Sequence, residues 1–144
     1  MIGSPLFIEA AVRRAADTVS LHLLVGWLAM LLGVLTGAGL GLFFHIDEWA
    51  GGYSSYRRRM LRLAHIAFFG LGFMNIFFGL TVERIALPPI NVQIASAGMI
   101  LGLFAMPLVC YLSAWRKPLR VLFPVPVLVI TGAIIAVLLG WGRR

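Results

Sequence analysis

The sequence predicts an all-α integral membrane protein: a four-transmembrane-helix, up-down-up-down bundle preceded by a short N-terminal amphipathic helix. Three observations lead there. Hydrophobic residues make up 61% of the 144-residue chain and charged residues only 12%, with a mean hydropathy of +0.99; a soluble domain is about half apolar and about a quarter charged. A single domain of this length cannot bury that much apolar surface in its own core, so lipid must be the solvent for most of it. Finally, four apolar stretches, at 20–44, 60–82, 91–115 and 121–141, each reach the ~20 residues that a hydrocarbon core of ~30 Å requires of a helix. None alternates in polarity as barrel strands of about 10 residues do, and lipid leaves only helices as the other way to pair every backbone group.

The elements follow in order. Ser4 is placed to cap a first turn that Pro5 tolerates, and Leu6, Phe7, Ala10, Ala11 and Val12 supply apolar contact for a surface helix extending to about Thr18. Arg13 and Arg14 before an apolar stretch have the look of a signal peptide. The stretch far exceeds an h-region of about 7–15 residues and lacks a small-residue cleavage site, so it is expected to remain as the first span. The loop "HIDEWAGGYSSYRRR" (45–59) turns at Gly51 and Gly52. "ERIALPPI" (83–90) ends the second helix at Pro88 and Pro89, and "RKPLR" (116–120) is a tight basic turn. Connections this short favour antiparallel neighbours. Pro107 falls inside the third helix, and Pro124 and Pro126 open the fourth. No repeat or low-complexity segment divides the chain, which reads as one membrane domain over 1–144.

Charge sets orientation. Arg57, Arg58, Arg59, Arg62, Arg116, Lys117 and Arg120 lie on the side of the first and third loops, against Arg13, Arg14, Arg84, Arg143 and Arg144 on the other. Basic residues concentrate on the cytoplasmic side, so both termini are expected outside, in a bacterial-type inner membrane. The net charge of +7 is that of basic residues anchoring helix ends at headgroups. No soluble basic face exists for nucleic acid. The single Cys110, within the third span, excludes a disulfide framework or a cysteine-ligated cluster in one chain and reads as a packing residue.

At 100° per residue, Arg58, Arg62, His65, Phe69, Gly72, Ile76 and Gly79 share one face of the second helix, with Asn75 beside it. Polar groups at depth are costly toward lipid, so this face is expected to look into the bundle. Gly33, Gly37 and Gly41 form a G-x-x-x-G-x-x-x-G run on the first helix, and Gly98 and Gly102 give the third a similar surface; both are read as helix-packing faces. Trp27, Trp49, Trp115 and Trp141 read as interfacial belts or contacts with neighbours.

The histidines are the candidate chemistry. His45 ends the first helix and His65 enters the second, so antiparallel packing brings them toward one membrane face; His22 lies toward the other, where anchoring or capping is its expected role. His65 is either a hydrogen-bonded bundle histidine or a ligand. With His45 it is a candidate axial ligand of haem b iron, while Arg58 and Arg62, within the Arg57–Arg62 cluster, hold propionates and glycine leaves room for the macrocycle. A quinone headgroup could use the same His and Arg, with Asp47, Glu48, Tyr53 or Tyr56 relaying protons. This arginine–histidine entry is reminiscent of small haem-binding subunits of respiratory complexes, though no diagnostic motif extends the likeness along the chain. Against it stands the span interior, where Thr36, Asn75, Ser96, Cys110 and Thr131 are the main polar residues and no carboxylate occurs. A small secondary transporter is less well matched, since such folds place charged sites in broken helices of repeated halves. The leading expectation is therefore a non-catalytic accessory subunit of a larger membrane complex, of respiratory or electron-transfer type, with the lipid bilayer and other membrane subunits as partners.

Overall fold

The computed structural model describes residues 5–141. It consists of helices α1 (Pro5–Gly41), α2 (Tyr56–Arg84), α3 (Pro89–Trp115) and α4 (Pro124–Trp141), with short 3-10 turns at Trp49–Gly51 and Lys117–Leu122. All four helices are long and apolar enough to cross a membrane, and no strand occurs among the described residues. The expected all-α four-helix architecture is the one observed.

The helices pack in chain order: α1 on α2, α2 on α3, α3 on α4. A lesser contact joins α1 to α3, and among the described residues none joins α1 to α4. The inner pair, α2 and α3, is thus flanked by two outer helices that do not meet. The core interleaves alanines with a few large side chains. One cluster joins Phe78 of α2 to Ala95 and Met99 of α3 and to Ala133 and Ala136 of α4; a second joins Ala29, Leu71 and Leu103 of the first three helices. Small side chains let backbones approach, which is how helices associate where lipid removes the hydrophobic drive.

Two expectations about α1 are modified. The segment before residue 20 is helical, but it runs without a break into the first span as one 37-residue helix. Nothing between Pro5 and Gly41 ends it: no proline follows Pro5 and glycines are single. At 1.5 Å per residue such a helix is about 55 Å long, more than a hydrocarbon core of ~30 Å, so part of it extends beyond the apolar layer. The capping role of Ser4 lies outside the described residues. At the other end the helix stops at Gly41 and residues 42–45 form turns, leaving His45 exposed.

The 45–59 loop closes through a left-handed stretch, Ala50 (φ 58°), Gly51 (φ 87°) and Gly52 (φ 88°). Glycine accepts such backbone freely, and alanine at some strain. Ser55 then fastens loop to helix: its hydroxyl donates to the Ala50 carbonyl at 2.7 Å and accepts from the Arg58 N–H at 3.1 Å, capping α2. Pro88 and Pro89 turn the chain from α2 into α3, and α3 passes Pro107 without interruption.

Candidate functional site

The expected inward face of α2 is its contact with α1. Gly33 lies under the Phe69 ring and Gly37 under the imidazole of His65, each so close that an added Cβ would collide. Further along, Gly26 meets the backbone of Gly72, whose carbonyl would stand 2.8 Å from a Cβ at Gly26. Gly98 and Gly102 do for α4 what Gly33 and Gly37 do for α2, admitting Ala133 and Ile130. Gly41 corrects the expected run: it is the last residue of α1, and a Cβ there would meet nothing within 4 Å.

His65 donates from Nδ1 to the Gly33 carbonyl at 2.7 Å and stands edge-on to Phe69, with ring centroids 5.4 Å apart. It reaches that carbonyl because residue 37 has no side chain in the way. The space left by the glycines is therefore filled by His65 and Phe69 themselves. His45 lies in the exposed turn beyond the end of α1, and the structure gives the two imidazoles no common partner.

The arginines separate in the same way. Arg58 is 2% exposed, and its guanidinium sits among the rings of Phe44, Trp49 and Tyr53 at 5.3, 5.6 and 5.3 Å. It donates long hydrogen bonds to the carbonyls of Asp47 and Phe44 at 3.4 and 3.5 Å, and its Nε has no partner. Arg62 lies over Tyr53 at 4.6 Å and donates to that residue's carbonyl. Neither arginine pairs with Asp47 or Glu48: among the described residues the ion pair found is Arg13 with Glu9, exposed on α1. The cluster is a lid fastener. Cation–π contacts hold the 42–55 loop down on the end of α2.

One fully enclosed polar group lies where anchoring or capping was expected. His22 is not an interfacial anchor; it is fully buried at the junction of three helices. The continuity of α1 accounts for the difference, since a helix that begins at Pro5 places residue 22 along its length rather than at its start, where it packs against α2 and α3. The side chain of Asn75, also fully buried, donates from Nδ2 to the carbonyls of Leu71 at 2.8 Å and Met99 at 3.4 Å, which turns its Oδ1 toward His22. That oxygen only accepts, so Nδ1 of His22 carries a proton and donates to it at 2.8 Å. On the neutral ring Nε2 then accepts from the Ser96 hydroxyl at 2.9 Å. Phe78 closes the site edge-on, with ring centroids 4.6 Å apart. One imidazole thus ties α1 to α2 and α3. The signal was present in the sequence: His22, Asn75 and Ser96 are polar residues of three successive apolar stretches, and a buried one needs partners. A second such tie, Asn91 donating to the Ala136 carbonyl at 2.8 Å, joins α3 to α4.

No group of three or more His, Cys, Asp or Glu suited to a metal ion occurs among the described residues. What the fold defines is an all-helical protein with four helices apolar enough to span a membrane, in which His22, His65, Asn75 and Asn91 are each bonded to a neighbouring helix. Compared with known proteins, the chain matches no family model, no curated sequence and no solved structure.

Proposed function

We propose that this chain is a non-catalytic subunit of a larger membrane assembly, docked through the outer face of α1 onto a transmembrane helix of another protein. The observation that carries this reading is Trp27. It stands midway along the Val12–Gly41 span and is 63% exposed, with no hydrogen bond from its indole among the described residues. Tryptophan belongs at membrane interfaces, where its N–H finds water or headgroups. In the middle of the hydrocarbon that donor has no acceptor unless a partner supplies one. Leu24, Leu28, Leu31 and Leu35 continue the same exposed stripe above and below it. The stripe follows the spacing by which one helix receives another. The polar interior supports the same role, since His22, Asn75 and His65 are each engaged in joining helices rather than left facing an open space.

The alternative, a haem or quinone centre at His65 and His45 in an electron-transfer protein, draws less support. His65 is committed to Gly33 and packed against Gly37, His45 is exposed in a turn, and Arg58 is enclosed by aromatic rings rather than turned toward a ligand.

Photo-crosslinking tests the proposal. A benzophenone amino acid at positions 24, 27 or 31, expressed at native level in the native membrane, should give a discrete adduct with another protein. The same group at Leu128, an exposed α4 position, should give lipid adducts. Lipid adducts alone at position 27, or an adduct only with a second copy of this chain, would overturn it.

A further inference from the structure

A cavity of about 510 Å³ opens at the end of the molecule opposite the 45–59 loop, between the N-terminal part of α1 and the α2–α3 turn. That volume falls within the range of about 300–1,000 Å³ typical of small-molecule sites. Its lining is divided. Arg14, Asp17, Thr18 and Gln93 give it a polar mouth, and Val82, Leu87 and Val92 are among its apolar walls. It stands directly over the buried junction: Thr18, Val82 and Val92 are each one helical turn from His22, Phe78 and Ser96. A polar mouth over apolar walls, at one end of helices apolar enough to span a membrane, suits an amphiphile.

Charge identifies the class. Arg14 and Asp17, three residues apart on α1, present opposite charges at the same mouth, and among the described residues neither is in an ion pair. Arginine is the side chain suited to phosphate, while a carboxylate accepts from an ammonium N–H. The hydroxyl of Thr18 already donates to the Arg14 carbonyl, so from Thr18 the mouth offers an acceptor. An anionic headgroup would satisfy Arg14 and repel Asp17. A headgroup carrying phosphate and ammonium together satisfies both.

We infer that this cavity binds a zwitterionic phospholipid with a primary amine, its phosphate on Arg14, its ammonium on Asp17 and the start of its acyl chains along Val82, Leu87 and Val92. A quaternary ammonium has no N–H to donate and fits less well. The inference is independent of the partner proposed for α1, because the cavity lies on the α2–α3 side of that helix.

The test is lipid retention by the full-length protein in nanodiscs that contain equal parts of phosphatidylethanolamine, phosphatidylcholine and phosphatidylglycerol, read by native mass spectrometry on release from the disc. Phosphatidylethanolamine should be retained about fivefold over either of the others, the scale of one partly exposed charge contact. Asp17→Asn should erase its advantage over phosphatidylglycerol, and Arg14→Gln should lower retention of both. Both sites are exposed, so thermal melting should show the variants folded. Equal retention of the three lipids by the wild type would overturn the inference. So would a preference for phosphatidylglycerol, which would make this end a simple basic surface, or a preference that survives both substitutions.

Discussion

Replacing His22 by alanine should destabilise the helix assembly by about 1.7–2.7 kcal/mol. The substitution removes two hydrogen bonds between helices, to Asn75 at 2.8 Å and from Ser96 at 2.9 Å. Within membranes such bonds contribute about 0.6 kcal/mol each, rarely beyond ~1.7, because the separated helices also find partners. The pair therefore accounts for about 1.2 kcal/mol. The edge-on contact with Phe78 adds about 0.5–1.5 kcal/mol. Figures for buried unsatisfied groups in water-soluble proteins, about 1–3 kcal/mol each, would give a larger loss, and the membrane reference state is the reason to prefer the smaller one. The assay is a double-mutant cycle in bicelles, with reversible unfolding measured for His22→Ala, Asn75→Ala and the pair. A coupling of about 0.6–1.7 kcal/mol is expected. Additivity within ~0.3 kcal/mol, or a single-variant loss below ~0.5 kcal/mol, would refute the three-helix junction.

Other substitutions separate the remaining features. Gly37→Ala places a methyl group against the His65 ring and should cost about 1–3 kcal/mol by overpacking, whereas Gly41→Ala meets open space and should be neutral or slightly stabilising in the same unfolding assay. Arg58→Met removes the cation held by three aromatic rings; hydrogen exchange should then accelerate across residues 42–55 while the centres of α2 and α3 stay protected, and uniform acceleration would mean that the arginine supports the whole bundle. Single cysteines at Ser54 and Lys117, in a Cys110→Ala background, should react with an impermeant maleimide from the cytoplasmic side only, consistent with the bias of basic residues. Labelling of the two from opposite sides would contradict the up-down-up-down topology.

The four helices were legible because lipid makes their composition conspicuous, and because the breakers between them, Gly51 with Gly52 and Pro88 with Pro89, are strong local signals. The face of α2 was legible too: the spacing of His65, Phe69, Gly72 and Ile76 required an inward stripe, and those residues meet α1. What spacing alone could not supply was the start of α1. Placing the first span at residue 20 set His22 at an interface, and the three-helix junction disappeared with that error of depth. The surroundings of Arg58 were hidden for a related reason. A run of arginines beside a membrane suggests anions, and only the folded loop brings Phe44, Trp49 and Tyr53 around one of them. The cavity at Arg14 and Asp17 depends on the α2–α3 turn lying against α1, a contact between segments far apart in the chain.

The proposal that this chain belongs to a larger assembly is tested most directly by native mass spectrometry on vesicles made from the native membrane, without overexpression. The expected result is a complex in which the 15.8 kDa chain leaves the bilayer together with a second membrane protein, and from which Trp27→Ala releases it. A chain that emerges alone at 15.8 kDa, with or without bound lipid and unchanged by Trp27→Ala, would contradict it.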